Sequence, residues 1–201
     1  MSATSHEAAW RSAQVAELRY HMQLMDPPLE RHLHNGIAGL LRLMVQETAN
    51  LTVLDVAAGP LSLLLDYPAR RATALDPLDF GSYETAYEQA SIERVRTRAE
   101  EYAPGRQWDE VWMYNCLQHV WRPAIVLAHI THWARSRIRV FEWVEQPTSV
   151  VHLHTLHREE IAGVLWGNGW QPAYELSGVW RERSVNQQFY AAHWVPLAVP
   201  L

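Results

Sequence analysis

The stretch Leu51-Thr-Val-Leu-Asp-Val-Ala-Ala-Gly-Pro-Leu61 constrains this chain most. Leu51 to Val56 is a short apolar, partly β-branched run that suits a strand buried on both faces. Ala57-Ala58-Gly59 is small enough for a tight turn and a close backbone approach. Pro60 fits the first position of a helix, and Leu61-Ser-Leu-Leu-Leu65 supplies an apolar face. The unit reads strand, tight loop, helix. Its loop stands at the carboxyl end of a strand, where open α/β sheets bind ligands.

The loop is a poor cradle for phosphate. A dinucleotide fingerprint would place glycines where this chain has Ala57, Gly59 and Ser62. Pro60 lacks the N–H that a pyrophosphate needs, and Asp55 beside the loop repels an anion. Asp76 ends the next apolar run, Ala72-Thr-Ala-Leu75, and a carboxylate at that strand end grips ribose hydroxyls. Two acids without a phosphate cradle suit a positively charged nucleoside such as S-adenosylmethionine. A nicotinamide-dependent oxidoreductase is disfavoured for the same reason.

Four segments in order resemble the class I S-adenosylmethionine-dependent methyltransferases. Val53-Leu-Asp-Val-Ala-Ala-Gly-Pro60 resembles the first motif and Thr73-Ala-Leu-Asp76 the ribose-binding second motif. Arg98-Ala-Glu-Glu-Tyr102 is similar to the acidic turn that holds adenine. Trp108-Asp-Glu-Val-Trp-Met-Tyr-Asn-Cys-Leu-Gln-His-Val120 resembles the fourth strand and its loop. The match runs from about Leu51 to Trp170. It implies an α/β, three-layer Rossmann-like sheet of about seven strands, with a closing antiparallel hairpin and N-terminal helices. It also implies S-adenosylmethionine as cofactor, held by Asp55, Ala57, Ala58, Gly59, Asp76, Pro77, Ala99, Glu100, Asn115 and Cys116. The implied activity is methyl transfer to oxygen or nitrogen of a small-molecule acceptor. The family's first and third glycines are here Ala57 and Leu61, which narrows the space for the methionine end. That departure motivates the alternative reading, a catalytically silent binding or scaffold protein.

Methyl transfer from a sulfonium asks the protein for alignment and a proton acceptor. His119, in the loop after the fourth strand, is the candidate general base, because imidazole titrates near neutrality. Its competing role is packing or capping the next helix. Cys116 is expected to be inert. Asn115-Cys-Leu-Gln118 lacks the Pro-Pro-aromatic signature of amino-methyltransferases acting on DNA bases. By the same resemblance, Glu142, Trp143, Glu145, His152 and His154 after the fifth strand are candidates to line the acceptor pocket. His152 and His154 project to one side of an extended segment, but no third ligand is evident and no metal site is expected. His129 and His132 are expected to face solvent.

Composition sets the remaining bounds. The 201 residues are read as one domain, with a helical cap at 1–48 and a core at 49–201. Hydrophobic content of 48% with 19% charge describes a globular chain. A net charge of −5 without a basic tract argues against a nucleic-acid partner. All 17 basic residues are arginine, which excludes Schiff-base chemistry. The lone Cys116 excludes an internal disulfide. No leader-like start or membrane-length apolar run is seen, so a cytoplasmic location, a small-molecule partner and no membrane are expected. A homodimer is left open. The ten tryptophans are expected to include walls of a site.

Apolar spacing and breakers predict helices over 5–25 and 29–47, flanking Asp26-Pro-Pro28. Further helices are expected over 80–90, from Pro123, and from a Thr155 cap to Gly167. Strands are expected near 70–76, 92–96, 110–114 and 137–144, and as a closing pair over 174–180 and 188–194 joined by a polar turn. Arg19-Tyr-His21 and Arg31-His-Leu-His34, on the leading helices, are polar enough to reach a ligand, although most such side chains are solvated.

Overall fold

A computed structural model describes residues 3–182 and 185–198. Helices α1 (Ala3–Arg19) and α2 (Pro27–Leu40) lead the chain, followed by the short α3 (Val45–Thr48). The core then runs β1 (Thr52–Val56), β2 (Arg71–Leu75), α4 (Glu84–Gln89), β3 (Glu93–Val95) and β4 (Trp108–Tyr114). It closes with α5 (Pro123–Trp133), β5 (Ala134–Val144), α6 (Arg158–Gly167), β6 (Trp170–Glu182) and β7 (Val185–Pro196). The seven strands form one sheet in the order β3-β2-β1-β4-β5-β7-β6. The five strands from β3 to β5 are parallel, and β7 and β6 are antiparallel additions. This is the expected α/β sheet with its closing hairpin. The strand order turns back between β1 and β4, so a crevice opens at their carboxyl ends.

Alternation along β1 divides the core into two layers. Leu54 and Val56 face α5 and α6, packing with Val111, Met113, Val126, Ile130, Ile161 and Leu165. Val53 faces α2 and α4, packing with Ile37, Leu41, Tyr87, Trp112 and Phe141. Most of the tryptophans serve this core, with Trp108, Trp112 and Trp194 fully buried. On α2, Gly36 leaves room for the Trp180 ring of β6, where a Cβ would lie 2.2 Å from a ring carbon.

Local structure departs from the sequence reading in several places. No α-helix follows β1; the segment makes a single 3₁₀ turn, Leu63–Leu65. The Ser62 hydroxyl accepts from Leu64 N, so the turn begins only there. Pro68 then forces the chain out of the helical region, leaving room for one turn. The expected helix over 5–25 changes at Tyr20–Leu24 into a π-turn. The expected helix over 29–47 breaks after Leu40, where Arg42 takes a positive φ of 49°. α6 begins at Arg158, so Thr155 is not its cap, although Glu159 and Glu160 do occupy its first turn. The hairpin strands are longer than expected, and part of the turn joining them lies outside the described residues.

The break after α2 has a polar cause. Arg139 of β5 is 1% exposed and donates from Nη1 to the Leu41 carbonyl at 2.6 Å. Its Nε and Nη2 donate to the two Glu110 oxygens at 2.7 and 3.1 Å. Glu110, also buried, accepts further from Trp112 Nε1 and Arg137. Burial opposes its ionisation, but the two arginines and the indole outweigh it and hold its carboxyl below the ordinary range. Arg139→Ala strands a buried carboxylate and frees the end of α2. It is expected to cost about 3–5 kcal/mol in urea unfolding, against under about 1 kcal/mol for the exposed Arg135→Ala.

Candidate active site

A cavity of about 840 Å³, including its open mouth, lies over the carboxyl ends of β1, β2 and β4. Helices α1 and α2 contribute to its lining. Its floor is the loop Ala57–Pro60. Gly59 has φ +62°, which glycine adopts without penalty. Ala57 has φ +54° and holds a backbone shape costing about 1–2 kcal/mol without glycine. The sequence departs from the glycine motif here, but the backbone conformation that glycine favours is kept.

Asp76 ties this floor to the next strand end. Its Oδ2 accepts from Gly59 N at 3.1 Å and its Oδ1 from Leu78 N at 2.9 Å. Each oxygen keeps lone-pair capacity for a ligand hydroxyl. Burial raises its pKa, and the two amides, Arg94 and His21 offset this only in part. Asp55 does not line the cavity. It is fully buried behind the loop and accepts from Ser62 Oγ and from Tyr114 OH at 2.7 Å. Burial pushes its carboxyl up to about 7 against those two donors. Its side chain faces the turn after the loop, so it shapes the floor rather than touching what lies on it.

The wall after β3 includes Arg98, Ala99 and Glu100. Glu100 also accepts from Arg122 N at 2.9 Å, at the N-cap of α5. The Arg98 guanidinium pairs with Glu101 and lies 5.0 Å from the Trp10 ring. His129 is not solvated as expected; its Nδ1 pairs with the Ala99 carbonyl at 3.1 Å. Pro77, Asn115 and Cys116 complete the predicted cofactor residues that line the cavity.

The loop after β4 rests on a buried acid. Glu142, fully buried in β5, accepts from Cys116 N at 3.1 Å and from Leu117 N at 3.0 Å. Burial pushes its carboxyl up to about 7, outweighing those donors. The same burial, with the Glu142 and Asp55 charges, drives the Cys116 thiol well above its ordinary value, which leaves it un-ionised. Asn115 takes φ +51°, in keeping with its tolerance of the left-handed region.

His119 faces the cavity from this loop. Its Nδ1 is buried, has no hydrogen-bond partner, and lies 3.4 Å from Glu17 Oε2 on α1. Gln14 of the same helix donates to the His119 carbonyl at 3.2 Å. Burial lowers the His119 pKa, Glu17 opposes that, and His152 and His21 add to it. Glu17 Oε1 meets His21 Nε2 at 2.9 Å at the start of the π-turn, a feature frequent at functional sites.

The candidate acceptor residues on and after β5 do not gather at the cavity. Trp143 is buried in the core against Phe141 and Trp180. Glu145 is exposed and pairs with His157 at 2.8 Å. His154 Nε2 meets the Val120 carbonyl at 2.9 Å, and His152 stands edge-on to the His119 ring at 4.9 Å. Glu142 is spent beneath the loop. Trp10, Gln14, Glu17, His21, Glu30 and His34 stand instead on the leading helices. Glu17–His21 and Glu30–His34 are pairs four apart on a helix, which sequence could have flagged as facing pairs. Among the described residues, no group of three His, Cys, Asp or Glu is placed to hold a metal ion. No helix among them is long and apolar enough to cross a membrane.

No protein-family model matches the chain, and no curated protein matches it. Solved structures do. The 1,6-didemethyltoxoflavin-N1-methyltransferase of Burkholderia thailandensis, with bound 1,6-didemethyltoxoflavin and S-adenosylhomocysteine, superposes with a TM-score of 0.72 at 16% identity. That match covers 98% of this chain and 91% of that one. The N-methyltransferase NodS of Bradyrhizobium japonicum, in complex with S-adenosylhomocysteine, gives 0.68 at 12%, over 94% and 98%. The fold is that of the class I methyltransferases. The [4+2]-cyclase SpnF gives 0.66 at 11%, over 83% of this chain and 80% of that one, so the methyltransferase fold also serves other chemistry.

Glu142 makes the fold sensitive to pH. A carboxyl raised to about 7 in the folded state favours folding most below its unfolded value of about 4.3, and that contribution is lost as pH rises through 7. Glu142→Gln keeps an acceptor for the loop amides without the titration. Its stability relative to wild type, by urea unfolding from pH 4.5 to 8, is expected to improve as pH rises.

Proposed function

We propose that this protein is an S-adenosylmethionine-dependent methyltransferase acting on oxygen or nitrogen of a small-molecule acceptor. The observation that carries the reading is the donor set on the cavity floor. Asp76 offers two carboxylate oxygens at the second strand end, and the adjoining Ala57–Pro60 loop has no N–H at Pro60 for a phosphate. That set fits a ribose diol and rejects a pyrophosphate. Bound S-adenosylhomocysteine in two proteins of the same fold supports it.

In this reading the Ala57–Gly59 backbone and Asn115 hold the methionine end and Asp76 holds the ribose. Pro77, Ala99 and Glu100 flank the adenine, and Cys116 packs beside it. The cofactor supplies an electrophilic methyl group. The chain supplies alignment, exclusion of water beneath α1, and a proton acceptor in His119, whose lowered pKa keeps it neutral at pH 7. Asp55 is reassigned to shaping the loop. A catalytically silent protein would be favoured by a sealed pocket, but the cavity is open and reaches His119.

Titration calorimetry with S-adenosylmethionine and S-adenosylhomocysteine tests the reading. Micromolar binding of both is expected, and no binding at millimolar concentration would overturn it. Asp76→Ala is expected to weaken S-adenosylhomocysteine by about 10–100-fold, the range for losing charge-assisted hydrogen bonds. Asp76→Asn, which can still accept from Leu78 N, is expected to fall between.

A further inference from the structure

We propose that the acceptor end of this cavity is built for a small basic amine, with Glu17 of α1 as its charge partner and His119 as the group that takes its proton. This rests on the methyltransferase reading and names its substrate class.

The charges around the acceptor end are one-sided. Beyond the floor and the adenine wall, the cavity is bounded by Glu17, His21, Glu30, His34, Tyr114 and His119. Both glutamates face inward from the leading helices. Among the described residues, the one arginine in the lining, Arg98, stands on the wall after β3 and is taken by Glu101. An acceptor carboxylate or phosphate would meet two acids and no free guanidinium. An ammonium would meet the reverse.

Glu17 has the stronger claim. Its side chain is 19% exposed, and the groups facing it are His21 from the π-turn, His119 from the β4 loop and His152 from the loop after β5. Burial opposes its ionisation, but those imidazoles outweigh burial and hold its carboxyl below the ordinary range. Two of the three, His119 and His152, have lowered pKa values and are neutral at pH 7. The acid is therefore ionised in an enclosed place without a permanent cation, a state that a cationic guest completes. The buried, unpartnered Nδ1 of His119, 3.4 Å from Glu17 Oε2, stands where the guest's proton must go.

The chemistry balances. A protonated amine enters opposite Glu17, and His119 Nδ1 takes one proton. The freed nitrogen lone pair forms the new N–C bond as the donor's S–C bond breaks, with that bond's electron pair left on sulfur. The imidazolium of His119 is then paired with Glu17 until solvent takes the proton.

The test uses S-adenosylhomocysteine-loaded protein at pH 7 and matched aromatic probes, chosen because Trp10, Phe80 and Tyr114 line the cavity. Calorimetry compares phenethylamine with phenylacetate and tryptamine with indole-3-acetate. The amines are expected to bind at least about tenfold tighter than their acids. Glu17→Gln is expected to erase that preference and leave S-adenosylhomocysteine affinity unchanged. NMR titration of the His119 ring in Glu17→Gln is expected to show its pKa lower than in wild type. No preference, an inverted preference, or no binding by either class overturns the inference. So does an amine preference or a His119 titration unmoved in Glu17→Gln. Failure of S-adenosylhomocysteine to bind would instead sink the methyltransferase reading, and this inference with it.

Discussion

Where β1, β2 and β4 end, their loops carry backbone amides that the parallel sheet no longer pairs, and buried carboxylates take them up. Asp76 accepts from Gly59 N and Leu78 N, while Glu142 accepts from Cys116 N and Leu117 N. Asp55 does the same work one layer back, through Ser62 and the Tyr114 hydroxyl. An unpaired buried amide costs about 1–3 kcal/mol, so these acids decide the shape of the cavity floor. Of the three, Asp76 lines the cavity, and a carboxylate there suits a ligand hydroxyl or a cation better than a phosphate.

The roof follows a different logic. Helix α1 packs onto the sheet's mouth through polar contacts, with Gln14 on the His119 carbonyl and Glu17 beside its ring. A helix held this way can fit a ligand without disturbing the core, since the Arg139–Glu110 pair and the α2 packing are anchored elsewhere. The π-turn at Tyr20–Leu24 falls where His21 reaches Glu17. The roof of the site is thus carried by the leading helices, and its floor by strand ends.

That division matters because the fold alone does not fix the reaction. Proteins of this fold include N-methyltransferases and a [4+2]-cyclase. The carboxylate and loop geometry of the floor therefore supports the proposed methyl transfer, and the residues of the roof support the proposed acceptor.

Sequence by itself determined the sheet. Runs such as Val53–Val56 and Ile138–Val144 are buried on both faces and alternate between two core layers, a pattern local enough to read directly. It also determined which loops form the floor, because Gly59, Pro60 and Asp76 carry their chemistry in their identities. It misjudged the segment after β1, where Ser62 and Pro68 leave room for only one turn. The acceptor side was legible only in part. Glu17–His21 and Glu30–His34 stand out as i,i+4 pairs, but pairs like these occur on any solvated helix. Their meaning depends on α1 and α2 crossing the mouth of a sheet whose first strand begins at Thr52, 35 residues after Glu17. The same dependence sent Trp143 into the core, Asp55 behind its loop and Glu142 beneath one. Burial and partners at those positions come from chain segments far away in sequence, and only the tertiary structure brings them together.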